Sequence, residues 1–227
     1  MTEIHLTDKN TLRDRARKNV EDGAVTEGYH ANREEILRLL NESLATELVC
    51  VLRYKRHYFM ANGLKASVAA DEFLEHANQE MEHADKLAER IVQLGGEPEF
   101  NPDLLSKNAH AQYVAGKTLK EMVYEDLVAE RIAVDSYREI IQYIGDKDPT
   151  TRRIFEEILA QEEEHADGYR LKTRNGLGHR YMGHFLSDGF ASDGAATPHL
   201  QPPAISSRSP KPIRVSRTCV LYSLATQ

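Results

Sequence analysis

The sequence contains no tryptophan and only two cysteines, Cys50 and Cys219, in 227 residues. Two cysteines are too few for a disulfide framework or for a zinc site built from four cysteines. Cys50 lies in an apolar stretch, and we expect it to be a small buried side chain beside the core. A small scaffold that depends on several disulfides or on a four-cysteine zinc site is therefore excluded.

The sequence also lacks a long apolar run. No segment approaches the roughly 20 apolar residues of a membrane-spanning helix, and residues 1–10 carry charges where a secretion signal would be apolar. We therefore expect a cytoplasmic protein with no membrane partner. The formal net charge is −7 although residues 168–227 are basic overall, so the rest of the chain is acidic. An acidic body disfavours nucleic acid as a partner and attracts cations.

Four long stretches repeat apolar residues with the period of an α-helix. Suitable residues for capping the helix starts precede them: Asn32 with Glu35, Ser67, Thr118 with Glu121, and Asp148 before a proline. Residues 97–117 lack this period and are too long for a simple turn between helices, so we expect them to cross over along the molecule. The sequence therefore predicts an all-α four-helix bundle with one long crossover between helices two and three.

The composition divides the chain into three parts. Residues 1–30 are predicted to form an N-terminal arm with a short amphipathic helix, and residues 31–173 to form the bundle. Residues 174–227 are rich in Ser, Pro and Gly and have no sustained apolar period, so we expect a mostly disordered tail.

Two Glu-x-x-His motifs, beginning at Glu80 and Glu162, lie inside the second and fourth predicted helices. Residues three apart on a helix share a face, so one metal ion can reach both side chains. The first and third helices each place one carboxylate, Glu47 and Glu130, on an otherwise apolar stripe. Unpaired buried carboxylates are costly, whereas two divalent cations would neutralise four of them. The sequence therefore predicts a dinuclear metal site with the ligands Glu47, Glu80, His83, Glu130, Glu162 and His165.

The predicted ligands restrict the metal. Carboxylate and imidazole ligands with open positions suit iron or manganese, and iron in such a site can give electrons to dioxygen or peroxide. Zinc would also bind, so the ligand types do not select one metal.

Four further residues could act beside the site. Asp85 and Asp167 each follow a motif histidine by two residues, and are either partners that orient the imidazoles or exposed polar residues. Tyr54 and Tyr137 each follow a predicted helix glutamate by seven residues. For these two we favour core packing with a satisfied hydroxyl over hydrogen bonding to the ligands or a redox role.

Four segments resemble bacterioferritins: Thr46-Glu-Leu-Val, Glu80-Met-Glu-His-Ala-Asp, Asp126-Leu-Val-Ala-Glu and Glu162-Glu-Glu-His. The resemblance covers about residues 31–170 and implies a ferritin-like four-helix bundle with an intrasubunit di-iron centre bridged by Glu80 and Glu162. It implies a ferroxidase that oxidises Fe(II) with dioxygen or peroxide, and a role in iron storage and detoxification. Gln79 and Gln161, which precede the two bridging glutamates, depart from the family's pattern.

The resemblance also bears on a second cofactor and on assembly. Met81 falls on the family's position for a ligand of haem b, which is shared by two subunits, and packing in an interface is the alternative role. The family forms homo-oligomers, so we expect a dimer and, beyond it, a cage of 24 subunits.

Two other functions fit the same residues. One is a different di-iron or di-manganese enzyme, such as a rubrerythrin-like peroxidase or a manganese catalase, although the lack of a four-cysteine module disfavours rubrerythrin itself. The other is a non-catalytic helical assembly protein that zinc stabilises. Metal content and reactivity with oxygen distinguish all three.

Overall fold

A computed structural model describes residues 6–63 and 66–174 of the protein, and the regular structure within these residues is entirely helical. The helices are α1 (Lys9–Arg17), α2 (Arg33–Gly63), α3 (Ser67–Gln93), α4 (Pro102–Asn108), α5 (Leu119–Ile144) and α6 (Pro149–Arg174), with one 3-10 turn at Val20–Asp22. The all-α prediction is therefore confirmed. None of the described helices is long and apolar enough to cross a bilayer. The tail predicted beyond residue 174 lies outside the described residues.

Side chains cap most of the long helices as the sequence predicts. Thr118 and Glu121 form a reciprocal capping box at the start of α5. Asn32 and Asp148 each accept a hydrogen bond from the backbone N–H three residues later, at 3.3 and 3.0 Å. The prediction for Ser67 is wrong: it is the first residue inside α3, and the residue before it occupies the cap position without a side-chain hydrogen bond.

The four long helices form a bundle in which neighbouring helices run in opposite directions. Short connections join α2 to α3 and α5 to α6, so the members of each pair are antiparallel. Across the bundle, Tyr54 of α2 bonds Glu130 of α5 while Glu47 bonds Tyr137, so α2 and α5 are also antiparallel. It follows that α3 and α5 run in the same direction, which is what the predicted crossover requires.

The crossover between α3 and α5 follows α2 along its length. The Asn41 side chain forms hydrogen bonds with the backbone of residues 97 and 99. Further along α2, Thr46 forms a hydrogen bond with the backbone of residue 110, and Arg56 forms one with the backbone of residue 115. These contacts advance together along both segments. The crossover therefore returns the chain to the end of the bundle at which α5 must begin.

Helix α4 lies within the crossover and was not predicted. The Asn101 side chain caps it by accepting a hydrogen bond from the Asp103 backbone N–H at 3.1 Å, and Pro102 is its first residue. Leu105 reaches the core of the bundle. Seven residues are too few to display a helical period, so only the cap and the proline could have indicated this helix.

The apolar core has two parts. One contains the early residues of α2, the late residues of α3 and α5, and the early residues of α6. The other contains the later residues of α2, the early residues of α3 and α5, and Tyr169 of α6. Glu47 precedes Val49 in the first part and Cys50 in the second, so it lies at the boundary between them. The predicted metal ligands fall at this boundary on all four helices.

Candidate metal centre

The six predicted ligands lie together inside the bundle, one from each of α2 and α5 and two from each of α3 and α6. None has more than 4% of its surface exposed. Because the Glu-x-x-His spacing places two side chains on one helical face, α3 and α6 each contribute a complete pair. The residues are Glu47, Glu80, His83, Glu130, Glu162 and His165.

These six side chains form two overlapping groups. The first contains Glu47, Glu80, His83 and Glu162; the second contains Glu80, Glu130, Glu162 and His165. Within each group one potential ligand atom per residue lies within 4.8 Å of all the others. Glu80 and Glu162 are common to both groups. The arrangement can therefore hold two cations, each with one imidazole and one carboxylate of its own and two shared carboxylates.

The Nδ1 atoms of both histidines face the carboxylates. His83 Nδ1 lies 2.9 Å from Glu162 Oε1 and 3.2 Å from Glu80 Oε2. His165 Nδ1 lies 3.5 to 3.7 Å from oxygens of the second group. Glu80 Oε1, Glu162 Oε1 and His165 Nδ1 make no well-directed hydrogen bond in the described part of the chain, although each lies within 3.5 Å of another atom of the cluster. Buried polar atoms in close contact but poorly directed are uncommon, and cations between them would satisfy them.

Burial and mutual repulsion perturb the acidity of the cluster. Burial, with repulsion from Glu80, raises the pKa of Glu47 to about 8, and it also raises the pKa of Glu162. Burial opposes ionisation of Glu80 as well, but hydrogen bonds from His165 and His83 outweigh it and lower the pKa of Glu80. Burial would lower the pKa of His83, but its hydrogen bonds to carboxylates outweigh burial and raise it. Cations that bind here must displace imidazole protons, so affinity falls as the pH is lowered.

Two glutamines orient the histidines from across the bundle. Gln161 Oε1 of α6 accepts a hydrogen bond from His83 Nε2, and Gln79 Oε1 of α3 accepts one from His165 Nε2, both at 2.9 Å. A proton held on Nε2 leaves the Nδ1 lone pair for a metal. The two residues that depart from the family's pattern therefore support the predicted ligands.

The orienting role considered for Asp85 and Asp167 is wrong. Both residues are exposed, and Asp167 instead bonds Arg170 on its own helix. Residues two apart on a helix lie about 200° apart around the axis. An aspartate two residues after an inward-facing histidine must therefore point to solvent.

Replacing Gln161 by Ala should weaken divalent metal binding by about tenfold, because His83 loses the hydrogen bond that fixes its tautomer and orientation. Equilibrium dialysis of the metal-free protein with Mn(II) measures this change. Glu157→Ala, an exposed position one turn earlier on α6, is the control and should leave the affinity unchanged. Equal affinities in the two variants would contradict the orienting role.

Both predicted tyrosines bond a predicted metal ligand. The Tyr54 hydroxyl donates to Glu130 Oε1, and the Tyr137 hydroxyl donates to Glu47 Oε1. Both side chains are fully buried, and burial raises the pKa of each phenol, so each remains a neutral donor. The tyrosines thus pack in the core, as we favoured, and also hold the carboxylates, which was the alternative.

Sequence reasoning missed His76 and Tyr169. The His76 ring stacks on His165 with 4.0 Å between ring centroids, and Tyr169 stacks on Tyr54 at 6.4 Å. Burial and the nearby His165 lower the pKa of His76 to about 4, so its imidazole is neutral at neutral pH. His76 precedes Glu80 by one helical turn among apolar residues, and this spacing could have identified it.

A buried ion pair lies beside the second part of the core. Arg53 Nε donates to Asp126 Oδ1 at 2.9 Å, and His57 Nδ1 lies 2.9 Å from Asp126 Oδ2. All three residues are at most 1% exposed. The second ring nitrogen of His57 bonds the Ala115 carbonyl oxygen at 2.9 Å, which joins the end of the crossover to this network. The network was not predicted.

Cys50 and Met81 differ in their environments. Cys50 is buried, and burial raises the pKa of its thiol, as expected of a small core residue. Met81 is 40% exposed on α3. Its side chain therefore lies at the surface of the subunit, although it follows the buried Glu80.

Comparison with known proteins identifies the family. The sequence model of the ferritin-like domain matches residues 37–173. Bacterioferritins of Mycobacterium avium and Brucella melitensis are 34% and 33% identical to this chain, over 59% of its length and 80% and 79% of theirs. The dodecameric thioferritin of Bacteroides fragilis, described as a bacterioferritin-related protein, is 26% identical with a TM-score of 0.61, covering 71% of this chain and 93% of that one. The chain therefore belongs to the bacterioferritin family of ferritin-like proteins.

Proposed function

We propose that the protein is a ferroxidase that oxidises Fe(II) within each subunit and takes part in iron storage and detoxification. The observation that carries this proposal is the pair of buried ligand groups that share Glu80 and Glu162. Membership of the bacterioferritin family supports the same function. In the proposed site Glu47 and His83 serve one ion, and Glu130 and His165 serve the other.

Bound Fe(II) would supply the electrons in this reaction. Two Fe(II) ions give up one electron each, and dioxygen takes both electrons and two protons to form hydrogen peroxide; peroxide as the oxidant gives water. The carboxylates neutralise the cations, and the imidazoles give up their Nδ1 protons when metal binds. Tyr54 and Tyr137 hold Glu130 and Glu47, while the apolar residues at both ends of the site exclude bulk water.

Anaerobic purification followed by metal analysis and addition of oxygen tests this proposal. We expect two Fe(II) per subunit to bind and to be oxidised on mixing, with an absorbance change and oxygen consumption. Turnover of added peroxide by a manganese-loaded protein, without net iron oxidation, would favour the alternative di-manganese enzyme. A protein that binds zinc but oxidises no Fe(II) would contradict both enzymes.

Metal binding should stabilise the protein. Without cations, burial and mutual repulsion raise the pKa of Glu47 and Glu162, so ionising all four buried carboxyl groups is unfavourable. Cations remove this cost, and ligand at about 100 times its Kd stabilises the native state by about 2.7 kcal/mol. Calorimetry in deoxygenated buffer should therefore show unfolding about 5 °C or more higher with Mn(II) than with chelator. Equal unfolding temperatures would argue against an internal site that is already formed.

We further propose that the protein forms homo-oligomers. Leu52 and Phe59 of α2 and Met81 of α3 are large apolar side chains exposed by at least 40%, and a second copy could cover them. The Bacteroides fragilis relative is dodecameric. Light scattering after size-exclusion chromatography separates a dimer, a dodecamer and a cage of 24 subunits.

Haem b is the second proposed cofactor, with Met81 as its ligand from each of two subunits. Protein expressed with adequate haem should show a low-spin spectrum with at most one haem per two subunits, because a thioether from each copy completes the coordination. Met81→Leu should lose the haem and keep iron oxidation. Met60→Leu, at a methionine of similar exposure on α2, is the control. Haem retained in Met81→Leu would refute the ligand role.

A further inference from the structure

The metal centre is built from two matching halves of the chain. Residues of α3 recur 82 positions later on α6: Glu80 corresponds to Glu162, and the two motif histidines and the two glutamines correspond in the same way. The match fails one turn before each glutamate. His76 occupies this position on α3, and Ile158 occupies it on α6.

His76 places a third imidazole beside one half of the centre. It forms a group with Glu130 and His165 in which one potential ligand atom per residue lies within 4.8 Å of the others. Only 8% of His76 is exposed. Its Nε2 lies 4.0 Å from Glu72 Oε1, and its Nδ1 has no hydrogen-bond partner among residues 6–63 and 66–174. A buried ring nitrogen without a partner beside two metal donors is itself a potential ligand.

The other half of the centre has no equivalent donor. Ile158 is fully buried in the first part of the apolar core. The group that contains His83 therefore has a single imidazole in the described chain, whereas the group that contains His165 can draw on two. An additional neutral imidazole strengthens binding of divalent transition metals because it is a better donor to them than water.

We propose that His76 is an additional ligand of the metal position served by Glu130 and His165, and that it makes this the tighter of the two positions. The inference rests on the proposed dinuclear centre and adds that its two metal positions differ in affinity. Glu130 and His165 bind the same ion as His76, so the first metal to enter the subunit occupies this position.

Co(II) titration of the metal-free protein tests the assignment, with visible absorbance to report coordination and equilibrium dialysis to report affinity. The unaltered protein should bind two Co(II) per subunit in two separable steps. His76→Ile copies the residue of the other half of the chain, and should weaken the first step at least tenfold and alter its visible spectrum. His76→Gln keeps a polar side chain and should show the same loss of Co(II) affinity. Agreement between the two variants would show that the loss does not come from a change in folding caused by the apolar isoleucine.

Two further sets of variants, each with one metal position impaired, show which position His76 serves. The His83→Ala protein should keep one tightly bound Co(II). Adding His76→Ile to it should weaken the binding of that ion at least tenfold. In a background that carries both Glu130→Ala and His165→Ala, adding His76→Ile should leave the affinity for the remaining Co(II) unchanged, because that ion occupies the position of Glu47 and His83, to which His76 does not belong. Unchanged affinity and spectrum in both His76 variants would overturn this inference alone. Failure of the unaltered protein to bind Co(II) internally would overturn the dinuclear centre itself.

Discussion

Replacing Glu162 by Gln should slow the initial phase of Fe(II) oxidation by about 100-fold or more. Glu162 belongs to both ligand groups, so a neutral amide weakens both metal positions together. His83→Ala removes a ligand from one group only, and its initial phase should slow by at least about tenfold. Stopped-flow absorbance after anaerobic loading with Fe(II) measures both rates.

The control for this prediction is Glu164→Gln, the same substitution at an exposed position of α6, which should oxidise Fe(II) at the unaltered rate. Burial, with repulsion from Glu80, raises the pKa of Glu162 well above its usual value, so folding without metal at neutral pH requires this carboxyl to take up a proton, which costs stability. Glu162→Gln should therefore keep its helical content and be no less stable without metal. Unaltered initial kinetics in both Glu162→Gln and His83→Ala would refute the ligand assignment.

Replacing Asp126 by Ala should lower the free energy of unfolding by about 3–5 kcal/mol, because Arg53 is left as a buried cation without a carboxylate partner. The same change removes the hydrogen-bond partner of His57 and so loosens the end of the crossover. Urea unfolding in the presence of chelator, at one protein concentration, measures the loss without a contribution from metal.

Asp135→Ala is the matched control for Asp126→Ala. Asp135 also lies on α5 and pairs with an arginine, Arg138, at 3.6 Å, but its side chain is 78% exposed. Exposed pairs of this kind contribute about 0.5 kcal/mol or less. A loss in Asp126→Ala no larger than that in Asp135→Ala would show that the buried pair does not stabilise the bundle.

Local sequence determined the long helices and the face that each turns inward. An amphipathic helix encodes this face in the period of its apolar residues, so a carboxylate on the stripe, such as Glu47, could be assigned to the interior before any packing was known. The repeated Glu-x-x-His motif then fixed which side chains share a face. The six predicted ligands accordingly meet inside the bundle.

Only the tertiary structure decided which side chains meet between helices. Gln161 reaches His83 from a helix 78 residues later in the chain, and Arg53 reaches Asp126 across 73 residues. Such contacts depend on the relative height and rotation of two packed helices, which the period within one helix does not specify. The same holds for His76: its place on the inner face of α3 follows from spacing, but its stacking on His165 requires α3 and α6 to be packed together.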